Sequence, residues 1–452
     1  EIRHIFETSK VVDLAAVMEG LSESSYERIP KAKEKAVYDM SPSQEKMYKF
    51  WKYEENKQGI GRNMAIKLKL TDQLDASLVE RAFETIITRH EALRTTFAEQ
   101  DGRFIQVIHD TALIQVPVEK VSEADVEAWF NASIQPIDIE NGPIIKAKIA
   151  RTETHDHLFV DMHHIISDGR SHHTFVGEMM QTLAGLPLPE VDRQYRDYSE
   201  WLRTQDQSKS EAYWMEQLED YQPLVLPTDY ARSEWNSFEA KTNWLYLGEE
   251  LSARIRAFTN QTGTTEYMFF LSLLSILLGK HADQDDVIIG SVMSGRVHRD
   301  TESMLGIFTN YVGMRTEPTT NKTFDDYLSE VKTCTLKAYE HQTYPYRDLP
   351  ADLVKGPDGT RKEFFDVYFI YQNNEVADIS GVGIEAYEEF QRPDRRELYY
   401  ALGDNGKEIH VALGYATELF KPETIETLQV GLKKLIEQVL EDEKQLIENL
   451  ET

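Results

Sequence analysis

Apolar and polar positions along this 452-residue chain switch between a period of two and a helical period, and the switches mark out its elements. Met64 to Leu70 alternates and predicts a strand, whereas Leu78, Ala82, Phe83, Ile86, Ile87 and Leu93 recur at helical spacing. Leu93 to Phe97 and Phe104 to Ile108 predict strands around Asp101-Gly102, a hairpin signal. Ile144 to Ile149 and Leu158 to Ile166 predict another strand pair. Ser41-Pro42-Ser43-Gln44 reads as a helix start, with Ser41 as N-cap and Pro42 in the first turn. Leu186-Pro187-Leu188-Pro189 marks a loop, and residues 193–230 predict a connecting helix with exposed turns. The second half repeats the style of the first. Thr242 to Leu247, Val287 to Met293, Phe365 to Tyr371, Tyr399 to Leu402 and Ile409 to Tyr415 are strand-like. Leu251 to Phe258 and Tyr267 to Leu278 are helical, and a closing helix from Glu423 to about Leu440 carries Ile425, Leu428, Leu432, Leu435 and Val439 on one face. This is an α/β layer architecture in two halves of similar size, which suggests a pseudo-duplicated enzyme with its site in the crevice between them.

The first residues differ in style. Residues 1–21 carry Ile5, Phe6, Val12, Ala15, Val17, Met18 and Leu21 as two short amphipathic pieces, too small to hold a core. Residues 22–36, Ser-rich and then Lys/Glu-rich with Pro30, read as a linker. The chain begins at Glu1 rather than Met, and it is expected to be a fragment of a longer polypeptide.

Composition narrows the partners. Lys plus Arg number 49 and Asp plus Glu 78, for a formal charge of −29, which argues against nucleic acid as partner because phosphate binding needs clustered cations. A single cysteine, Cys334, rules out an internal disulfide framework and fits a reducing, cytoplasmic setting. Its surroundings, Val331 to Leu336, read as helical, with the thiol at the edge of a core. The most apolar run, Tyr267 to Leu278, is interrupted by Ser272 and Ser275 and falls short of the ~20 residues that cross a bilayer, so a buried helix and no membrane are expected.

The candidate chemistry lies in His163-His164-Ile165-Ile166-Ser167-Asp168-Gly169. It follows Leu158 to Met162 and reads as a strand running into an Asp-Gly turn. Side chains alternate across a strand, so the two histidines point opposite ways and one imidazole faces a given cavity. With a carboxylate nearby, that is a workable acid–base device. The plainer reading of a His-His pair is structural. A metal site is not expected, because the adjacent histidines diverge and no HExxH or cysteine pair lies near.

Together with six further motifs, this run resembles the condensation domain of non-ribosomal peptide synthetases over roughly residues 37–452. Ser41 to Tyr48 is similar to the first core motif, and Arg89-His90-Glu91-Ala92-Leu93-Arg94-Thr95-Thr96-Phe97 matches the second nearly letter for letter. Met162 to Ser171 contains the third, His-His-x-x-x-Asp-Gly. Tyr195 to Trp201 resembles the fourth, Leu305 to Asn310 the fifth with Thr309 where Val is usual, and His341 to Tyr346 the sixth. The seventh, Thr360 to Asp366, keeps an Arg and Phe-Asp but has Lys362-Glu363 for Asn-Pro. Arg170 and His172-His173 also depart from the apolar residues usual after Asp-Gly, which bears on acceptor preference more than on chemistry. Ile5-Phe6-Glu7-Thr8 resembles the end of a peptidyl carrier domain.

The resemblance implies two chloramphenicol-acetyltransferase-like α/β halves in a V-shaped pseudo-dimer, with the active-site tunnel between them. The expected organisation is a carrier remnant over 1–21, a linker over 22–36, an N-terminal half over 37–205 and a C-terminal half over 206–452. The implied activity is an acyltransferase reaction. The α-amine of a downstream carrier-bound aminoacyl thioester attacks an upstream carrier-bound aminoacyl or peptidyl thioester, with both substrates on phosphopantetheine arms of partner carrier domains and no metal. Ile60-Gly61-Arg62-Asn63-Met64 resembles the subtype that takes an L-configured donor. An adenylation domain is the expected neighbour. His164 is the implied base or amine positioner, and the Gly169 N–H an oxyanion donor. His163 and Asp168 are structural, with Asp168 paired to Arg296 of Met293-Ser294-Gly295-Arg296. Asn310, His341 and Tyr344 are candidates for the tunnel region, with His341 read as structural rather than catalytic and Tyr344, with Pro345, as packing near the tunnel. The competing readings are an epimerization domain of the same superfamily, an inactive condensation fold serving as a docking platform, and a free-standing acetyltransferase-like enzyme. The strand from Phe365 to Asn373 looks like the condensation type, a docking platform usually loses the His-His-x-x-x-Asp-Gly signature, and the carrier remnant argues against a free-standing enzyme. A cyclization domain would carry Asp in place of the histidines.

Overall fold

The strand and helix periods resolve into three sheets and the helices that cover them. The computed structural model describes residues 27–54, 59–232, 240–345, 348–349, 365–372, 384–389 and 396–452. The expected carrier remnant over 1–21, and Thr360 to Phe364 and Tyr346 of the motifs, lie outside the described residues.

In the first half, β1 (Tyr38–Asp39), β3 (Thr95–Gln100) and β4 (Arg103–Ile108) form a small antiparallel sheet in the order β1-β4-β3. Asp101 and Gly102, both at positive φ (52° and 74°), turn β3 into β4, which suits a two-residue hairpin whose turn twists with the strands. The main sheet of this half contains β2 (Asn63–Leu70), β5 (Val118–Lys120), β6 (Ile145–Arg151) and β7 (Asp156–His163). Every residue of β7 is buried, because the strand is covered on both faces. Leu158, Val160 and Met162 pack with Phe83 of α2 (Ala76–Arg89) and Phe175 of α4 (Gly169–Leu183). On the other face Phe159 meets Phe130 of α3 (Val126–Ser133), with ring centroids 5.7 Å apart. The strand therefore reaches the site from the middle of three layers, and its end is held rigidly.

The second half is built around a six-stranded sheet, β10-β9-β11-β13-β14-β8, with bounds Asn310–Thr316, Val287–Met293, Val367–Gln372, Leu398–Asp404, Ile409–Ala416 and Ala240–Tyr246 in that order. α8 (Glu266–Ala282) is buried from Tyr267 to Gly279. It lies among α7 (Gly248–Thr262), α9 (Phe324–Glu340) and α10 (Pro422–Glu441), the place for a helix that is apolar all round. Among the described residues no single helix is long and apolar enough to cross a membrane.

Four features differ from the pattern read along the chain. The strand after Leu158 stops at His163, and His164–Ile166 form a single 3₁₀ turn whose Ile165 and Ile166 drop into the core. An apolar run looks the same in a buried strand and a buried turn. Residues 193–230 hold two helices, α5 (Tyr195–Leu202) and α6 (Ser208–Gln217), rather than one. Within the expected linker, residues 27–36 are not a free tether. Ile29 is fully buried, and its N–H donates to Asp300 Oδ2 at 2.8 Å. Arg28 pairs with Asp192 at 2.6 Å, and the Ala32 N–H donates to Asp197 Oδ1 at 2.8 Å. Finally, the two halves exchange material. β12 (Ile384–Glu389) adds to the edge of β2, and Met304, Leu305, Ile307 and Phe308 pack in the first half's core. A cut between 205 and 206 therefore divides the chain but not the packing.

Gly306 lies in that exchanged segment. A Cβ there would lie 1.9 Å from Cδ2 of Tyr195. The Tyr195 ring is fixed, since its hydroxyl donates to Ile307 O and lies 2.8 Å from Ser41 Oγ. Gly306→Ala is expected to lower unfolding free energy by ~1–3 kcal/mol through overpacking, read as a lower urea midpoint.

The second motif braces α2 against α4. His90 Nε2 lies 2.6 Å from Glu178 Oε2, and Arg89 Nε donates to both carboxylate oxygens at 3.1 Å. Burial alone raises the Glu178 carboxyl, but the hydrogen bond and charge of His90, with Arg89, outweigh it and hold it below the ordinary value. A depressed carboxyl contributes stability that is complete above the unfolded value of 4.5 and is lost as pH falls through the folded one. Wild type is thus expected to be more stable than Glu178→Gln near neutral pH, with the gap in urea midpoint closing below about pH 4.5.

Candidate active site

The site starts from the backbone at the end of β7. Asn63 of β2 is in register with His163, and the His164 N–H donates to Arg62 O at 2.8 Å, closing the last rung. The chain then tightens into the 164–166 turn, and Asp168 caps α4 by accepting from the Ser171 N–H at 2.8 Å. A short polar residue before a helix does this readily, so the Asp-Gly pair is both the stop of one element and the start of the next.

His164 Nδ1 lies 2.6 Å from Ser167 O. A carbonyl only accepts, so Nδ1 carries the proton and Nε2 keeps its lone pair. Burial pushes the imidazole's proton affinity down, the Ser167 bond raises it, the Arg62 guanidinium lowers it and Asp168 raises it, for a net value below that of a free histidine. The ring is half-buried and neutral near physiological pH. His163 is wholly buried, pushed down to about 3 by burial and then by the charges of His164 and Arg62. Its Nδ1 accepts from the Ile165 N–H at 3.1 Å, which shapes the turn.

Asp168 does not face the imidazole as a proton partner. Its Oδ1 accepts from the Ser171 N–H and lies 2.8 Å from Ser171 Oγ and 3.0 Å from Arg296 Nη2, and its Oδ2 accepts from the Phe308 N–H at 3.0 Å. The expected pair with Arg296 is present and nearly enclosed, with 2% and 6% of the two side chains exposed. Arg296 also donates from Nη1 to Thr301 O and, at 2.9 Å, to Met304 O. Its plane lies over the Phe308 ring at 3.9 Å. The carboxylate thus joins α4 of the first half to the 295–308 segment of the second. Gly169 opens α4, and a Cβ added there would meet no heavy atom within 4 Å, so there is open space beside its backbone.

The other expected site residues separate. Asn310 Nδ2 donates to Gln342 O at 2.8 Å and to Tyr344 O, fastening the loop after α9. Asn310, Thr309, Tyr311, Gln342 and Thr343, with Lys46 of α1 (Pro42–Lys49), line a cleft between the halves. His341 and Tyr344 do not face that cleft. His341 stacks on Tyr213 of α6 at 4.3 Å, with Nδ1 3.1 Å from Ser210 Oγ, and the Tyr344 hydroxyl donates to Asp348 O at 3.4 Å. Both make packing contacts, His341 because the chain leaves α9 there and turns its ring back onto α6. Among the described residues no group of three or more His, Cys, Asp or Glu side chains could hold a metal ion. The Cys334 thiol, pushed up to about 11 by burial, donates to Arg315 O at 3.4 Å.

Two residues of the site were not singled out from sequence for a role. Ser171 Oγ lies 2.8 Å from Asp168 Oδ1, Arg296 Nη2 and Gly306 O, and it stands three residues after the cap, a spacing that could have announced it. Arg62 lies beside both histidines, and no local pattern marks it.

A family model described as "Condensation domain" matches residues 34–452. The chain is 34% identical over 434 residues to "Surfactin synthase subunit 2" of Bacillus subtilis (strain 168), covering 94% of this chain and 12% of that one. It is also 34% identical to "Tyrocidine synthase 3" of Brevibacillus parabrevis, covering 94% of this chain and 7% of that one. The chain therefore spans about a tenth of the curated relatives it matches. Among solved structures, the X-domain from teicoplanin biosynthesis superposes with a TM-score of 0.82 at 23% identity, covering 94% of this chain and 100% of that one. The epimerization domain from the third module of tyrocidine synthetase B gives 0.75 at 17%, covering 92% and 99%. At these identities the structural likeness speaks for the fold.

Proposed function

The chain belongs to the condensation-domain family, and from that premise we propose that it joins two carrier-bound thioesters by a peptide bond. The upstream carrier presents an aminoacyl or peptidyl thioester, L-configured at its terminal residue, and the downstream carrier presents an aminoacyl thioester with a free α-amine. An adenylation domain adjoins. The single observation that carries this reading is His164, a neutral imidazole at the end of β7 whose Nδ1 is anchored on Ser167 O, which leaves the Nε2 lone pair to accept a proton.

In this reading the amine nitrogen attacks the donor carbonyl carbon and a C–N bond forms. Nε2 of His164 holds the amine and takes the proton it sheds. The Gly169 N–H, at the first turn of α4, faces the carbonyl oxygen as it becomes an anion. The C–S bond then breaks, and the proton passes to the leaving thiolate of the phosphopantetheine arm, so no co-reactant is consumed. Holding both arms in place supplies effective molarities of ~10⁵–10⁸ M, which makes positioning a large part of the rate. Asp168 and Arg296 keep the turn in register and stay out of proton transfer.

The test loads both carriers with defined aminoacyl arms and seeks the dipeptidyl product on the downstream arm by mass spectrometry. The second reading, epimerization of one carrier-bound residue, is favoured by the superposition on the tyrocidine epimerization domain. It predicts deuterium uptake at the α-carbon of a single loaded carrier in heavy water and no dipeptide.

A further inference from the structure

The backbone of residues 306–309 is held rung by rung, each residue by a polar side chain of the first half. The Tyr195 hydroxyl donates to Ile307 O, the Phe308 N–H donates to Asp168 Oδ2 at 3.0 Å, and Ser43 Oγ donates to Thr309 O at 3.2 Å. Ser171 takes both groups of Gly306, for its Oγ accepts the Gly306 N–H at 3.1 Å and lies 2.8 Å from Gly306 O. The same oxygen lies 2.8 Å from Asp168 Oδ1 and from Arg296 Nη2. A hydroxyl has two lone pairs and one proton. The Gly306 N–H and Arg296 occupy the lone pairs, and the proton goes to Asp168 or to Gly306 O. The hydroxyl is therefore fully committed, in a place that is 1% exposed. Resting on the reading of His164 as the amine's base, we propose that Ser171 is a positioning residue for the transfer, whose hydroxyl fixes the 306–309 segment against the first turn of α4 and so fixes how the amine approaches His164.

What lies on each side of the hydroxyl supports the assignment. On one side, the Ser171 N–H and Oγ both meet the Asp168 carboxylate that caps α4. Gly169, the oxyanion donor of the proposed transfer, opens that helix, and Ser167, whose carbonyl anchors His164 Nδ1 at 2.6 Å, stands just before the cap. On the other side, Ile307, Phe308, Thr309 and Asn310 line the cleft between the halves. One oxygen atom thus joins the frame of the acid–base turn to a wall of the cleft. Its removal leaves the Asp168–Arg296 pair in place, with the Ser171 and Phe308 N–H groups still on the carboxylate, but unties Gly306 from α4. The expected consequence is misplacement of the reacting groups, with no charge lost.

The experiment compares wild type with Ser171→Ala and with Tyr195→Phe, which removes the neighbouring rung from α5 rather than from α4. Urea midpoints and hydrogen exchange at the Gly306 amide are measured without carriers. Single-turnover dipeptide formation is then followed against the concentration of loaded carrier, where every protein is folded. In Ser171→Ala the Gly306 amide should exchange faster. Its limiting rate should fall about 10-fold or more with the half-saturating carrier concentration within about two-fold of wild type, because a misplacement of ~1 Å can cost ~10²-fold. Tyr195→Phe should lower the urea midpoint as well, yet keep its limiting rate within about two-fold. Should the alanine protein not fold, Ser171→Cys, which fills the site with a weaker hydrogen-bonding group, carries the same expectation. A wild-type rate per folded molecule in the Ser171 variant overturns the proposal. So do losses in Ser171→Ala and Tyr195→Phe that simply follow their midpoints, the mark of a structural role. A wild type that forms no dipeptide takes down the reaction, whereas a Gly306 amide that exchanges in Ser171→Ala as in wild type takes down the hold by itself.

Discussion

Replacement of His164 by alanine is expected to lower dipeptide formation by ~10²-fold or more while thermal unfolding stays close to wild type. The size follows from the loss of a positioned proton acceptor, and the residue is half-buried at the lip of the core, so truncation opens little new cavity. Its side-chain bond from Nδ1–H to Ser167 O closes a turn that the backbone bonds from the His164 N–H to Arg62 O and from the Ser167 N–H to His164 O also hold. Single-turnover measurements with both carriers loaded separate the chemical step from docking. Near-native turnover in the alanine protein would take His164 out of the mechanism and leave positioning by the arms alone.

The second large effect concerns stability. Asp168→Ala strands a buried guanidinium and Arg296→Ala a buried carboxylate, and removing one member of an enclosed pair costs ~3–5 kcal/mol. Both single variants should show sharply lower urea midpoints and lose activity with them. The double variant should be clearly less damaged than the sum, because neither charge is then left alone. Ser171 and the Phe308 N–H bind the same carboxylate, so the coupling measured will include part of their contribution. Strict additivity of the two single effects would mean that the pair does not hold the halves together.

Much of this architecture could be read from the chain, and the exceptions have a common cause. The strand over Val287–Met293 and the closing helix were legible because one face meets a core and the period shows it. The carboxylate-to-guanidinium link was legible because each residue ends a strand-like run inside a recognisable motif. The turn at His164–Ile166 was not, since isoleucines are buried equally well in either conformation. His341 could be read as structural from its motif, but the ring's stacking partner, Tyr213, is 128 positions away by subtraction of their numbers and could not. Residues 27–36 read as a tether because Lys and Glu dominate, whereas their fixity comes from carboxylates of Asp192, Asp197 and Asp300. Arg62 owes its place to Phe50 across a turn. Periodicity reports on one face of one element, and most of these features depend on a partner outside it.

The exchange of β12 and of residues 304–308 bears on how such a domain can be recombined. A chimera joined near residue 205 would pair one parent's β2 edge with the other's β12, and one parent's Tyr195 and Phe175 with the other's Phe308 and Leu305. The two halves are therefore not interchangeable cassettes. A graft that keeps its core would have to carry the 295–308 segment and the 384–389 strand along with the half they pack against, so the workable crossover is about five junctions rather than one.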